Sequence, residues 1–171
     1  WSGRNELKTL GSIECSGIPI ILEGNALMCG FYINELLMRL LHLHDPHAEL
    51  FNAYHNTLQQ LSNNNSLETV LRCFEKKLLQ HIGYGLSFAK ELHSGNPIEP
   101  NKYYQYVADH GFSCCEPDRS ESSIFPGKSL LELHHETFST PKTLSDAKRL
   151  MRQVFNHRLG HKPLKSRELL K

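Results

Sequence analysis

The residues best placed to do chemistry are the cations of the last thirty positions, KTLSDAKRLMRQVFNHRLGHKPLKSRELLK. Nine Lys or Arg stand here against Asp146 and Glu168, a local balance of +7. The preceding residues hold ten basic and sixteen acidic side chains, so a chain of formal net charge +1 is polarised along its length. One end suits a polyanion and the rest does not. Lys148 and Arg152 lie four apart and share a helix face, with Arg149 beside them. Lys162, Lys165 and Arg167 extend this ridge through a Pro-containing turn. Clustered cations neutralise phosphates, and the released counterions drive affinity. An ordinary solvated helix face has the same pattern. No aromatic stripe accompanies it, so contacts to DNA would run to the backbone rather than through base stacking.

A second constellation is Leu71-Arg72-Cys73-Phe74-Glu75-Lys76-Lys77. On a helix, Leu71 and Phe74 turn one way while Arg72, Lys76 and Lys77 lie toward other faces. That makes a hydrophobic notch with a basic lip, suited to an acidic, apolar peptide. Periodicity alone fits plain core equally well.

Other chemistry finds little support. Eleven histidines include His42, His44, His47 and His55 close together, and the pair His134-His135. His42 and His44, two apart, point about 200° apart on a helix, and no HExxH occurs, so no metal site is expected. Neither GxxxxGK[ST], GxGxxG nor GxSxG is present, so no catalytic residue and no cofactor is expected. Glu35, inside an apolar helix, reads as a satisfied structural carboxylate or a group at a domain seam.

The elements that must position these residues are mostly helical. Apolar positions from Asn25 to Leu43 cover most of a helix circumference, which predicts a central, buried helix. Asp45-Pro46 predicts the next helix start, carrying Leu50, Phe51, Tyr54, Leu58 and Leu61. A third helix runs from about Leu67, with Val70, Leu71, Phe74, Leu78, Leu79 and Ile82 on one face, and stops at Gly83. Tyr103–Val107 and Gly111–Cys114 predict a β-hairpin, which must lie on the helices because two strands alone are marginal. Helical signals return over Ser129–His135 and Thr143–Arg158; Gly160 and Pro163 end the last long helix, and Ser166 suits the cap of one more turn through Leu170. Leu7 to Leu10 read as extended, and Pro19 argues against a central strand over Ile18–Leu22.

Composition sets the frame. A chain of 171 residues, 39% hydrophobic and 22% charged, suits one soluble domain with an appendage. No apolar run reaches the ~18 residues that span a bilayer. The opening WSGRNELK lacks the apolar region of a signal peptide and has no initiator Met, as expected of a chain whose N-terminal part is missing. Five cysteines (Cys15, Cys29, Cys73, Cys114, Cys115) without CxxC spacing predict free thiols in the cytosol.

FYINELLMRLL (31–41), DPHAELFNAY (45–54), LRCFEKKLLQHIGYG (71–85), the Tyr106…Gly111-Phe112 hairpin and GHKPLKSRELL (160–170) resemble, in this order, the bacterial recombination mediator RecO family. SGRNELKTL (2–10) resembles the stretch that closes that family's N-terminal OB domain. The resemblance implies the end of an OB domain and linker over 1–24, then a mainly α bundle over 25–171 with a small β-hairpin insertion at about 93–127. It implies a cytoplasmic, nucleoid-associated DNA repair protein of the RecF pathway, not an enzyme and not a membrane protein. Such proteins bind single- and double-stranded DNA, anneal strands, partner with RecR and with the acidic tail of single-stranded DNA-binding protein, and help load RecA. Without most of the OB domain, a protein-interaction domain lacking DNA affinity is the alternative. Many family members carry a four-cysteine zinc module; here only Cys114 and Cys115 fall in that region, which implies a zinc-less type. Arg72 matches the family's LRxFE position as the lip that meets the tail, with Leu71, Phe74 and Lys76 as neighbours. Lys148, Arg149, Arg152, Lys162, Lys165 and Arg167 form the DNA-facing group. A structural reading stands beside this for Lys165 and Arg167, the latter pairing with a carboxylate such as Glu35.

Overall fold

The computed structural model describes residues 2, 9–14, 17–43, 45–63, 66–118, 120–160 and 162–168. The expectations for Leu7, His44 and Leu170 lie outside these residues. Five helices stand among them: α1 (Gly24–Leu40), α2 (Ala48–Ser62), α3 (Leu67–His81), α4 (Gly127–His135) and α5 (Pro141–Leu159). Strands β1 (Tyr103–Val107), β2 (Gly111–Cys115) and β3 (Ile124–Pro126) form one antiparallel sheet, in the order β2-β1-β3. The mainly α architecture with its small sheet matches the expected class. Ser2 and Thr9 exchange backbone hydrogen bonds of 2.9 and 2.8 Å, and residues 10–14 and 17–23 follow without regular structure.

The central helix is α3, not α1. It buries Val70, Leu71, Phe74, Leu78 and Leu79, and also Arg72, Glu75 and Lys76. α1 buries Cys29, Tyr32, Ile33 and Leu36 but leaves Phe31 and Met38 exposed. The charged letters of α3 disguised its burial, because each finds a charge partner inside the protein rather than in water. Gly83 adopts φ 80° past the end of α3, and the Tyr84 N–H bonds back to Leu79 O at 2.8 Å, closing the helix with the left-handed residue that glycine supplies most cheaply.

Two helix starts differ from expectation. α2 begins at Ala48, with His47 as N-cap and no side-chain cap; the Asp45 carboxylate instead meets His47 Nε2 at 3.2 Å. α5 begins at Pro141, where a missing N–H costs nothing, and Thr140 caps it through a reciprocal box with Thr143. α1 stops at Leu40 because Leu41 turns extended. The hairpin gains its third strand from β3, which pairs Tyr104 with Phe125 and leads directly into α4. At that junction a Cβ on Gly127 would stand 2.0 Å from Glu99 O.

One face of α1 holds the C-terminal segment. Arg39 donates from Nη2 to Leu159 O (3.1 Å) and from Nη1 to Pro163 O (3.2 Å), satisfying carbonyls at and just beyond the end of α5. One turn earlier, Glu35 accepts from the Lys165 N–H (3.0 Å), the Ser166 N–H (2.8 Å) and the Ser166 hydroxyl (2.5 Å). Residues Lys165–Glu168 form a 3₁₀ turn. Ser166 thus sits within that turn and serves Glu35, and Glu35 binds the turn without using Arg167.

Burial would raise the Glu35 pKa, but the Ser166 hydroxyl and the Ser166 and Lys165 N–H groups outweigh it, and the net shift is down from 4.5. A depressed carboxyl contributes stability that is present above its unfolded pKa and lost as pH falls through the folded one. Glu35→Gln is expected to cost about 1–2 kcal/mol in urea unfolding. Protection of the Lys165 and Ser166 amides from hydrogen exchange, relative to their intrinsic rates, should fall in this variant, and in the unaltered protein as pH falls below the ordinary glutamate range.

Candidate functional site

α1, α3, α5 and the 3₁₀ turn meet around a cavity of about 240 Å³. α1 contributes Asn25, Cys29 and Tyr32; α3 contributes Leu67, Glu68, Leu71 and Arg72. Lys148 and Arg152 come from α5 and Arg167 from the turn that Glu35 holds. The floor is apolar and four cations surround it. The volume lies below the ~300–1,000 Å³ typical of small-molecule sites.

Beneath the floor lies a buried charge cluster. Arg72 Nη2 stands 2.8 Å from Glu75 Oε1, with side chains 7% and 0% exposed. The Tyr32 hydroxyl donates to the same oxygen at 2.5 Å. Arg72 Nε and Glu75 Oε2 are buried without hydrogen-bond partners among the described residues. Burial pushes the Glu75 carboxyl up against the opposing pull of Arg72, the Tyr32 hydrogen bond, Arg167 and Lys148. Burial and the neighbouring Glu75 push the Tyr32 phenol up as well. The phenol stays protonated and donates. Glu75 clamps the Arg72 guanidinium through Nη2, and the unpartnered Nε is itself shut off from solvent.

The expected site residues separate in space. Leu71, Arg72, Lys148, Arg152 and Arg167 line one pocket, so parts of two expected sites merge. Phe74 does not take part; it is 1% exposed in the core. Lys76, one turn beyond Arg72, is turned toward α4, where Nζ donates to His134 O (2.6 Å) and Glu136 Oε1 (3.1 Å). The end of α4 covers that turn of α3, which removes Lys76 from the lip. Arg149 leaves the ridge too. Its guanidinium lies 4.1 Å from the Phe125 ring centroid and donates to Ser122 O, Ile124 O and Asp146, tying α5 to β3. Lys162 and Lys165 are exposed outside the lining, and Arg167 donates to Asn156 Oδ1 at 2.6 Å. Arg152 makes no hydrogen bond or ion pair among the described residues, whereas Lys148 pairs with Glu68 at 2.9 Å.

Sequence reasoning missed Asn25, Cys29, Tyr32 and Glu68. The first three recur at helical spacing on one face of α1, the signal that was there to find. Among the described residues no group of three or more His, Cys, Asp or Glu is placed to hold a metal ion, and no helix is long and apolar enough to cross a membrane.

The domain is a helical one with an apolar pocket ringed by four cations. The family model described as recombination protein O C terminal matches residues 22–168, and the chain belongs to this RecO family. It is 52% identical over 170 residues to the DNA repair protein RecO of Coxiella burnetii (strain CbuG_Q212), covering 99% of this chain and 73% of that protein. The DNA repair protein RecO of Methylococcus capsulatus is 47% identical over 171 residues, covering all of this chain and 69% of its own length. That of Pseudomonas aeruginosa (strain UCBPP-PA14) is 44% identical over 170 residues, covering 99% and 71%.

Removing one partner of a buried pair strands the other charge. Glu75→Ala should therefore cost about 3–5 kcal/mol in denaturant unfolding. Tyr32→Phe, which removes only the hydroxyl, should cost about 1–2 kcal/mol.

Proposed function

We propose that this protein acts in DNA repair and homologous recombination as a mediator, and that the pocket between α1, α3 and α5 docks the acidic C-terminal tail of single-stranded DNA-binding protein. Membership of the RecO family and its relatives' names as DNA repair proteins support the role. The observation that carries the docking is the convergence of Leu71 with Arg72, Lys148, Arg152 and Arg167 on one cavity. An apolar side chain of the tail fills the floor, and its carboxylates meet the guanidinium donors in charge-assisted hydrogen bonds. DNA is held by backbone contacts to the rim cations Lys148, Arg152 and Arg167 and to the exposed Lys162 and Lys165. Tail and DNA share rim residues, so each weakens the other's binding. In the full pathway the protein works with RecR to anneal strands and to deliver single strands to RecA.

Fluorescence anisotropy with a tail peptide and with a labelled oligonucleotide, at two salt concentrations, tests this. Arg152→Ala should weaken the peptide about 5–30-fold, the loss of one charged hydrogen bond. Arg149→Ala should leave peptide affinity unchanged, since that side chain faces the sheet. Oligonucleotide affinity should fall steeply with salt, and excess peptide should displace the DNA. Peptide binding without detectable DNA binding would leave a protein-interaction domain. Peptide affinity that ignores Arg152 would remove the pocket from the docking site.

A further inference from the structure

We propose that Glu68 is an internal competitor for the pocket, a carboxylate that occupies Lys148 until an acidic peptide displaces it. The inference rests on the tail-docking reading and adds a specificity-determining residue to it.

Glu68 lies in the first turn of α3 and Lys148 on α5, and both line the cavity. Glu68 Oε1 stands 2.9 Å from Lys148 Nζ, joining two helices that flank the opening. The side chains are 56% and 58% exposed, respectively. This pair differs in kind from Arg72–Glu75 below it. The buried pair is locked by desolvation and cannot exchange partners without unfolding its surroundings. The exposed pair contributes little to stability and breaks readily. The pocket therefore carries one fixed internal carboxylate and one exchangeable one.

The pocket presents its cations unequally. Arg152 has no partner among the described residues, whereas Lys148 is held by Glu68 and Arg72 by Glu75. A first ligand carboxylate reaches Arg152 without displacing anything. A second carboxylate aimed at Lys148 must replace Glu68 and then lie beside it, a like-charge contact. Glu68 thus lowers affinity for acidic peptides and raises the cost of each carboxylate that reaches α5. An apolar peptide without carboxylates does not feel it.

The readout is affinity, measured on the full chain with the acidic tail peptide and with the same peptide carrying Asn and Gln in place of its acids. Glu68→Gln keeps the length and helix propensity of the side chain and removes its charge. It should tighten the acidic peptide about threefold to tenfold at ~50 mM salt. The gain should shrink at ~300 mM salt, where exposed charges are screened. The amide peptide should bind both proteins equally. In a Lys148→Ala background the gain from Glu68→Gln should diminish, because the two residues act through each other.

A purely structural Glu68 predicts the reverse: a small loss in melting temperature with affinity unchanged or reduced. Unchanged or weaker binding of the acidic peptide to Glu68→Gln, with normal binding to the unaltered protein, overturns the role of Glu68 alone. If neither protein binds the acidic peptide, the pocket reading falls and this inference with it.

Discussion

A guanidinium and a carboxylate 2.8 Å apart, with almost no access to water, constrain everything else in this domain. Taking both charges out of water costs several kcal/mol per ion, and only close geometry and further hydrogen bonds offset that. The further bond comes from Tyr32 on α1, so α1 must dock on α3 at one height and one rotation. Two turns of α1 then follow from that placement. Glu35 and Arg39 are delivered to the C-terminal segment, and the segment delivers Arg167 to the pocket rim. The pocket is the far end of a chain of contacts that begins with the buried pair.

The electrostatics of the pocket follow from the same arrangement. Gathering Arg72, Lys148, Arg152 and Arg167 around a small cavity sets like charges against each other. Glu75 below and Glu68 at the side partly offset this, one buried and one exposed to solvent. Arg149 and Lys76 show the opposite use of the same residue types. Each closes backbone carbonyls, of the sheet or of the end of α4, and neither faces the cavity.

Much of the fold was legible in the sequence where one period ran long enough. The spacing of Val70, Phe74, Leu78 and Leu79 placed α3 correctly, and Gly83 marked its end. The aromatic-rich run Tyr103–Val107 followed by Gly111–Cys114 placed the hairpin, in which Tyr104 lies opposite Cys114 and Tyr106 opposite Phe112. β3 was not legible, because three residues carry no period, and its evidence is a partner far along the chain. The centrality of α3 was hidden by Arg72, Glu75 and Lys76, which are buried because Arg72 and Glu75 pair with each other and Tyr32, His134 and Glu136 reach in from elsewhere in the chain. For the site, Leu71 and Arg72 were legible as a notch with a lip. That Lys148, Arg152 and Arg167 complete the same notch was not, since pairing across α1, α3 and α5 is written in packing rather than in spacing.

The attachment of the 3₁₀ turn to Glu35 also orders events in time. α1 and α3 are synthesised first and can settle their buried charges with each other. Lys148 and Arg152 come later, and Arg167 later still, after its anchor residues Lys165 and Ser166. Until that stretch has been made and folded back, the cavity lacks a wall and its fourth cation. The cationic rim of a nascent chain therefore stays incomplete until α5 and the turn are in place. The full ring of four cations is a property that only the completed helical assembly acquires.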